Sequence, residues 1–273
     1  DMLGIARTYA GGAWQTNLTA TPSTTADGSV VTASGTIHTK GSYTQLIAAT
    51  TYDWHGFYLF TGGVATSAAA TDMLLDIAIG AAASEQVILP NLLVGYSATT
   101  AAGGMCRYFP LFIPRGIRIA ARCQALIASD TTRVTIWGVA GNSGLPSPLF
   151  TNCDAYGITL ATSRGTSHTP GDTGAESTDA NIGATTTRPY GAVMLGVGQQ
   201  ATSITAIAYH WELTIGGTTR AEWRTVNTTA EIIYGPYPGM PIGVSIPTGT
   251  QLQVQAEASG TAQAHNVAFY CFY

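Results

Sequence analysis

Period-two alternation runs through much of this 273-residue chain. Ile117, Ile119, Ala121 and Cys123 point one way while Arg118, Ala120 and Arg122 point the other. Leu252, Val254 and Ala256 alternate in the same manner against Gln251, Gln253, Gln255 and Glu257. Such alternation predicts strands with one buried face, because successive side chains of an extended chain project to opposite sides. Val134-Thr135-Ile136-Trp137 and Val267-Ala268-Phe269-Tyr270 add β-branched and aromatic runs of the strand type. Met73 to Ala83 is ambiguous by itself, since its apolar run also suits a helix.

The ambiguity is resolved by an internal duplication. Leu75-Asp76-Ile77-Ala78-Ile79-Gly80 recurs as Trp211-Glu212-Leu213-Thr214-Ile215-Gly216, whose second copy reads as a strand running into a turn. Gly35-Thr36-Ile37-His38-Thr39-Lys40-Gly41 recurs as Gly165-Thr166-Ser167-His168-Thr169-Pro170-Gly171. Ala49-Thr50-Thr51 recurs as Ala184-Thr185-Thr186, and Ile113-Pro114-Arg115-Gly116 as Ile246-Pro247-Thr248-Gly249. The order is kept, at an offset of roughly 130 to 136 residues, which is the size of a domain rather than of a solenoid unit. Short strands separated by Gly, Pro and Asn turns predict an all-β chain of two tandem homologous β-sandwich domains. Jelly rolls suit the Ile-Pro-x-Gly turn that feeds a late strand in each copy. An immunoglobulin-like sandwich is the runner-up, but its Cys-Trp-Cys core spacing is missing.

The expected boundaries are an extended N-terminal arm over 1–34, the first sandwich over 35–140, a Gly/Pro-rich linker over 141–164 and the second sandwich over 165–273. The arm is rich in Gly, Thr, Ser and Ala, too poor in apolar residues for its own core, and suited either to a flexible tail or to lying across a neighbouring subunit and ordering there.

Composition narrows the function classes. Hydrophobic residues make up 45% of the chain and charged ones only 10%, so little charge repulsion keeps its neighbours away. Homo-oligomerisation is therefore expected, with a trimer favoured because three tandem chains present six similar modules. A formal charge of −4 and a single lysine, Lys40, argue against nucleic acid as a partner. No apolar run approaches the roughly 20 residues of a membrane-spanning helix, so membrane insertion is not expected. Cys106, Cys123, Cys153 and Cys271 occupy unrelated repeat positions and form no C-x-x-C pair, so buried free thiols are expected.

The chain offers no catalytic, cofactor or metal constellation, and it is not expected to be an enzyme. Gly196-Val197-Gly198 lacks the following helix that a dinucleotide fingerprint requires. His210 and Glu212 share a strand face, where they suit either a metal or an outward polar pair. His38 and His168, aligned within the repeated Gly-Thr-x-His segment, suggest a structural bridge from a turn to a strand. Arg118 and Arg122 project from one strand face, with Gln251 and Gln255 at the corresponding places in the second copy. That asymmetry makes the two arginines candidates for subunit contact or for an anionic sugar. Trp54 and Tyr52 lie in an aromatic run that the second copy lacks. They are candidates for a glycan platform or a packed interface.

The segments His38 to Thr50, Leu74 to Gly80 and Phe109 to Arg122 resemble a pattern found in virion proteins of tailed bacteriophages. The resemblance covers most of the first copy and reaches the second only through the duplication. It implies a location in an extracellular particle and other virion proteins as partners, and it carries over no catalytic residue. The expected function is a structural component that decorates the capsid, neck or tail or presents an attachment surface. The alternative is a carbohydrate-binding adhesin recognising a host-surface glycan. A glycan depolymerase is the third class, with no paired carboxylates standing out for it.

Overall fold

A computed structural model describes residues 14–17, 28–62, 73–94, 105–140, 150–199, 207–227, 232–235 and 240–273. The first half contains β1 (Trp14–Thr16), β2 (Ser29–Thr32), β3 (Thr44–Ile47), β4 (Trp54–Gly62), β5 (Met73–Ile79), β6 (Gln86–Leu93), β7 (Met105–Phe109), β8 (Ile119–Ala125) and β9 (Thr131–Ala140). The second contains β10 (Cys153–Tyr156), β11 (Ile158–Thr159), β12 (Arg164–His168), β13 (Ala180–Asn181), β14 (Tyr190–Gln199) and β15 (Ile207–Ile215). It continues with β16 (Thr218–Asn227), β17 (Ile232–Gly235), β18 (Ile242–Ile246), β19 (Gln253–Ala258) and β20 (His265–Phe272).

The sheet orders make each half a jelly roll. In the first, β2-β9-β4-β7 forms one sheet and β3-β8-β5-β6 the other. In the second, β12-β20-β14-β18 and β13-β19-β15-β16 repeat the same connectivity, with β17 added outside β16. Every pairing within these sheets is antiparallel, as expected of strands with one face on a core. Trp54, Phe57, Leu75, Ile77 and Ile136 centre the first core, and Leu195, Trp211, Leu213, Val254 and Phe269 the second. The ambiguous segment Met73–Ile79 is strand β5, as its twin predicted. No helix among the described residues is long and apolar enough to cross a membrane.

The duplicated motifs are packing devices. Thr50 is buried, donates its hydroxyl to the Pro114 carbonyl at 2.6 Å and accepts the Ile117 N–H at 3.0 Å. Thr186, one residue beyond the Thr185 that the sequence match sets against Thr50, does the same for the other copy, donating to the Pro247 carbonyl at 2.7 Å and accepting the Thr250 N–H at 2.8 Å. Each hydroxyl fastens an Ile-Pro-x-Gly turn whose glycine, Gly116 or Gly249, has φ of 82° or 78°. Only glycine takes that conformation without strain.

Three sequence expectations need correction. The first domain begins before residue 35, because β2 is the opening strand of its jelly roll and pairs along β9 of the same domain. β1 also pairs with β9, so the described parts of the expected arm lie on their own chain. Within 141–164, β10 pairs with β20 and β11 with β12, so this stretch belongs largely to the second domain. Gly141 to Pro148 lie outside the described residues. Third, His38 and His168 are not equivalents. His168 faces His265 across β12 and β20, the place that Val31 takes opposite Thr132 in β2 and β9. His38 corresponds instead to Gly174: their N–H groups reach the matched carbonyls of Ala125 and Ala258, and both have positive φ, 56° and 78°. In a Gly- and Thr-rich chain, letter similarity was a weaker guide to register than the ladder.

Candidate assembly and ligand surfaces

Strand β20 is buried on both faces. Val267, Phe269 and Cys271 enter the core of their own jelly roll, while Ala268, Tyr270 and Phe272 belong to the core cluster of the first domain. The neighbouring β14 divides likewise: Val193, Leu195 and Val197 face inward, Ala192 and Met194 face the other domain. The covering element is β6, which packs on β10 and β14. Tyr270 ties the two domains together by accepting the Leu93 N–H at 2.6 Å and donating to the Asn91 carbonyl at 3.0 Å. Phe272 meets the Phe109 and Phe150 rings at centroid distances of 6.4 and 5.9 Å. At the side of this junction Gln124 donates to the Leu160 carbonyl and to Ser163 Oγ, and His38 Nδ1 lies 3.0 Å from the same hydroxyl. The glycine read as a false dinucleotide signal has a reason here. Gly196 lies in β14, and a β-carbon on it would meet the Tyr270 ring.

The equivalent face of the first domain is partly exposed. Tyr58 faces Trp137 across β4 and β9, as Met194 faces Tyr270 across β14 and β20. Tyr58 also faces Tyr108 on β7, with ring centroids 5.1 Å apart. Trp137, Tyr58 and Tyr108 thus form a row across three adjacent strands, about 10 Å from end strand to end strand, with Phe60 one step along β4. Trp137 is 38% exposed and Phe60 36%, whereas the Tyr270 position in the second domain is wholly buried. One face has therefore been used twice in different ways: wholly buried in one copy, aromatic and partly exposed in the other.

The outer face of the remaining sheet carries the charges. In the first domain Asp76 is buried and paired with Lys40 at 2.8 Å and with Arg122 at 2.9 Å, and it accepts the Asn91 N–H. Burial pulls the Lys40 ammonium below its ordinary range, with Asp76 acting against that shift. Arg118 pairs with Glu85 at 2.9 Å and donates to Gln45, and the Arg122 guanidinium lies 4.6 Å from the centre of the Tyr43 ring. Both arginines expected to reach outward are thus engaged with carboxylates of their own chain. In the second domain the same register gives Glu212 opposite Gln255 where Asp76 stands opposite Arg122. Glu212, Glu222 and Glu257 gather around His210.

Trp54 is the clearest correction among the candidate residues. It is wholly buried, its indole lying on Gly138, where a β-carbon would collide with the ring. A register shift between Trp54 and Gly56 turns the strand by one residue, so the alternation counted back from Tyr58 assigns Trp54 to the wrong face. Tyr52 is half-buried just before β4. The partly exposed aromatic row lies instead at Trp137, Tyr58, Tyr108 and Phe60, of which Trp137 and Phe60 are the more exposed. Its signal was present as aromatics in phase on three strands, but it needed the register to be seen. All four cysteines are free, and burial pushes the Cys123 thiol up to about 12.

No protein-family model and no curated protein matches the sequence. Solved structures overlap it loosely. A structure of PNGF-II is 8% identical with a TM-score of 0.40, over 99% of this chain and 68% of that one. A naturally occurring empty particle of cowpea mosaic virus is 10% identical with a TM-score of 0.28, over 88% and 91%. The tandem CBM22 domains of a Paenibacillus barcinonensis Xyn10C are 11% identical with a TM-score of 0.23, over 92% and 99%.

Proposed function

We propose that this chain is a structural subunit of a tailed-bacteriophage particle and that it joins further copies of itself through the partly exposed aromatic face of its first jelly roll. The observation that carries the reading is the contrast between the two copies of one face. Where Met194 and Tyr270 stand, a neighbouring domain covers them; where Tyr58 and Trp137 stand, the Tyr58 ring is half-buried and the Trp137 ring is 38% exposed. Aromatic residues of this kind, grouped and desolvated by a partner, are the usual anchors of a protein interface. Low charge lowers the barrier to permanent association, and the sequence resemblance supplies the particle. A trimer is the proposed state, because three tandem chains would present six similar modules.

A second reading is favoured by the same row of rings, because three aromatics on one side of a sheet also suit contact with a chain of sugars. A glycan array with wild type and Trp137→Ala separates the two. Retained oligomer without glycan signal supports the structural subunit; glycan binding lost in Trp137→Ala supports the adhesin. Trp54→Ala is unsuited to this purpose, since it would empty the core. The location is tested by direct imaging of purified particles with a labelled antibody. Decoration at regular positions is expected, and absence of the protein from the particles would overturn the proposal.

A further inference from the structure

The outer face of the second domain's β13-β19-β15-β16 sheet assembles a mixed nitrogen and oxygen donor set. Ligand atoms of His210, Glu212 and Glu222 all lie within 4.8 Å of one another. His210 Nδ1 is 3.7 Å from Glu212 Oε1 and 3.7 Å from Glu257 Oε1, and its Nε2 is 3.4 Å from Glu222 Oε2. The donors come from three adjacent strands, β15, β16 and β19, so a hydrogen-bonded scaffold fixes their spacing.

The duplication shows what is unusual about this cluster. In the first domain each carboxylate on this face has a cation, Lys40 and Arg122 for Asp76 and Arg118 for Glu85. In the second, Glu212 faces Gln255 on one side and Glu222 on the other, so two carboxylates stand directly opposite across β15 and β16. Like charges in that relation are destabilising. The Glu212 side chain is only 10% exposed, and Thr219 supplies its hydrogen bond from a neutral hydroxyl. Arg224 stands opposite His210 on β16, yet no ion pair joins it to these carboxylates among the described residues. A cation placed among the four side chains removes the repulsion.

We infer that His210, Glu212 and Glu222, with Glu257 beside them, bind a divalent transition metal of the zinc class. The imidazole favours such an ion over magnesium or calcium, which prefer all-oxygen shells. Three protein donors leave a further position for Glu257 or water. Bound there, the ion cross-links three strands of the second jelly roll and stabilises the folded chain by mass action.

The test uses full-length protein stripped with a chelator and titrated with zinc chloride, with magnesium chloride as the control, by calorimetry and by thermal unfolding. One zinc per chain is expected, with a raised unfolding midpoint and no response to magnesium. His210→Ala and Glu222→Gln are each expected to weaken zinc binding by at least about tenfold. The Glu222 side chain is 61% exposed, so its replacement leaves the fold intact, as circular dichroism would verify. No zinc binding by wild type, or binding that survives undiminished in either variant, would overturn the assignment.

Discussion

Tyr270→Phe removes one oxygen from the junction between the two jelly rolls and leaves the ring in place. The hydroxyl accepts the Leu93 N–H at 2.6 Å and donates to the Asn91 carbonyl at 3.0 Å, and Tyr270 is wholly buried. Without it, one buried donor and one acceptor lose this partner, each worth about 1–3 kcal/mol when left unmade. Part of this is recovered by small shifts at the edge of β6, so a loss of about 2–4 kcal/mol is expected. For a chain of this size that corresponds to a fall in midpoint of roughly 5–10 °C. Urea unfolding followed by tryptophan fluorescence reads the change. Trp137→Phe, at the matching place on the partly exposed face, is the control and shifts stability by about 1 kcal/mol or less. A Tyr270→Phe variant within about 0.5 kcal/mol of wild type would refute the idea that the domains are fastened here.

Acid is expected to weaken the second domain. His265 is wholly buried, and burial lowers its pKa to about 4. Its folded value lies below the unfolded one of about 6.5, so its contribution is complete above pH 6.5 and is lost as pH falls towards 4, by about 3 kcal/mol in all; urea midpoints at pH 7, 5 and 4 measure it, and His265→Gln should flatten the dependence. Thr50→Val and Thr186→Val should each cost about 1–3 kcal/mol in chemical unfolding, since each strips the hydroxyl that fastens an Ile-Pro-x-Gly turn. Equal effects would show that the repeated motif does one job in both copies, and a neutral result in either would contradict that. Asp76→Asn should cost about 3 kcal/mol, because it leaves the half-buried Lys40 and Arg122 without their carboxylate, whereas Arg122→Gln, which imitates Gln255, should cost about 1 kcal/mol or less.

Much of the scaffold was legible in the sequence because its signals are local. Alternation at Ile117–Cys123 and Leu252–Glu257 gave β8 and β19, and the comparison of copies turned Met73–Ile79 from an ambiguous run into a strand. What escaped depends on register or on a second layer. The bulge before Gly56 inverts the phase at Trp54, and no composition reveals a bulge. Burial of Ala268, Tyr270 and Phe272 reflects the domain lying over them, so the uninterrupted apolar run of β20 hinted at two covered faces without naming what covers them. His210 and Glu212 were visible as a pair two residues apart, but Glu222 and Glu257 join them only across strands. The pairing of Arg118 and Arg122 with Glu85 and Asp76 was hidden for the same reason.

On the proposed function, another subunit fills the first domain's aromatic face, as the first domain fills its twin within the chain. Light scattering on size-fractionated protein at micromolar concentration tests it with wild type and Trp137→Glu. A defined wild-type oligomer that falls to folded monomer in Trp137→Glu is the predicted result. A wild-type monomer, or an oligomer that Trp137→Glu leaves intact, would contradict the account.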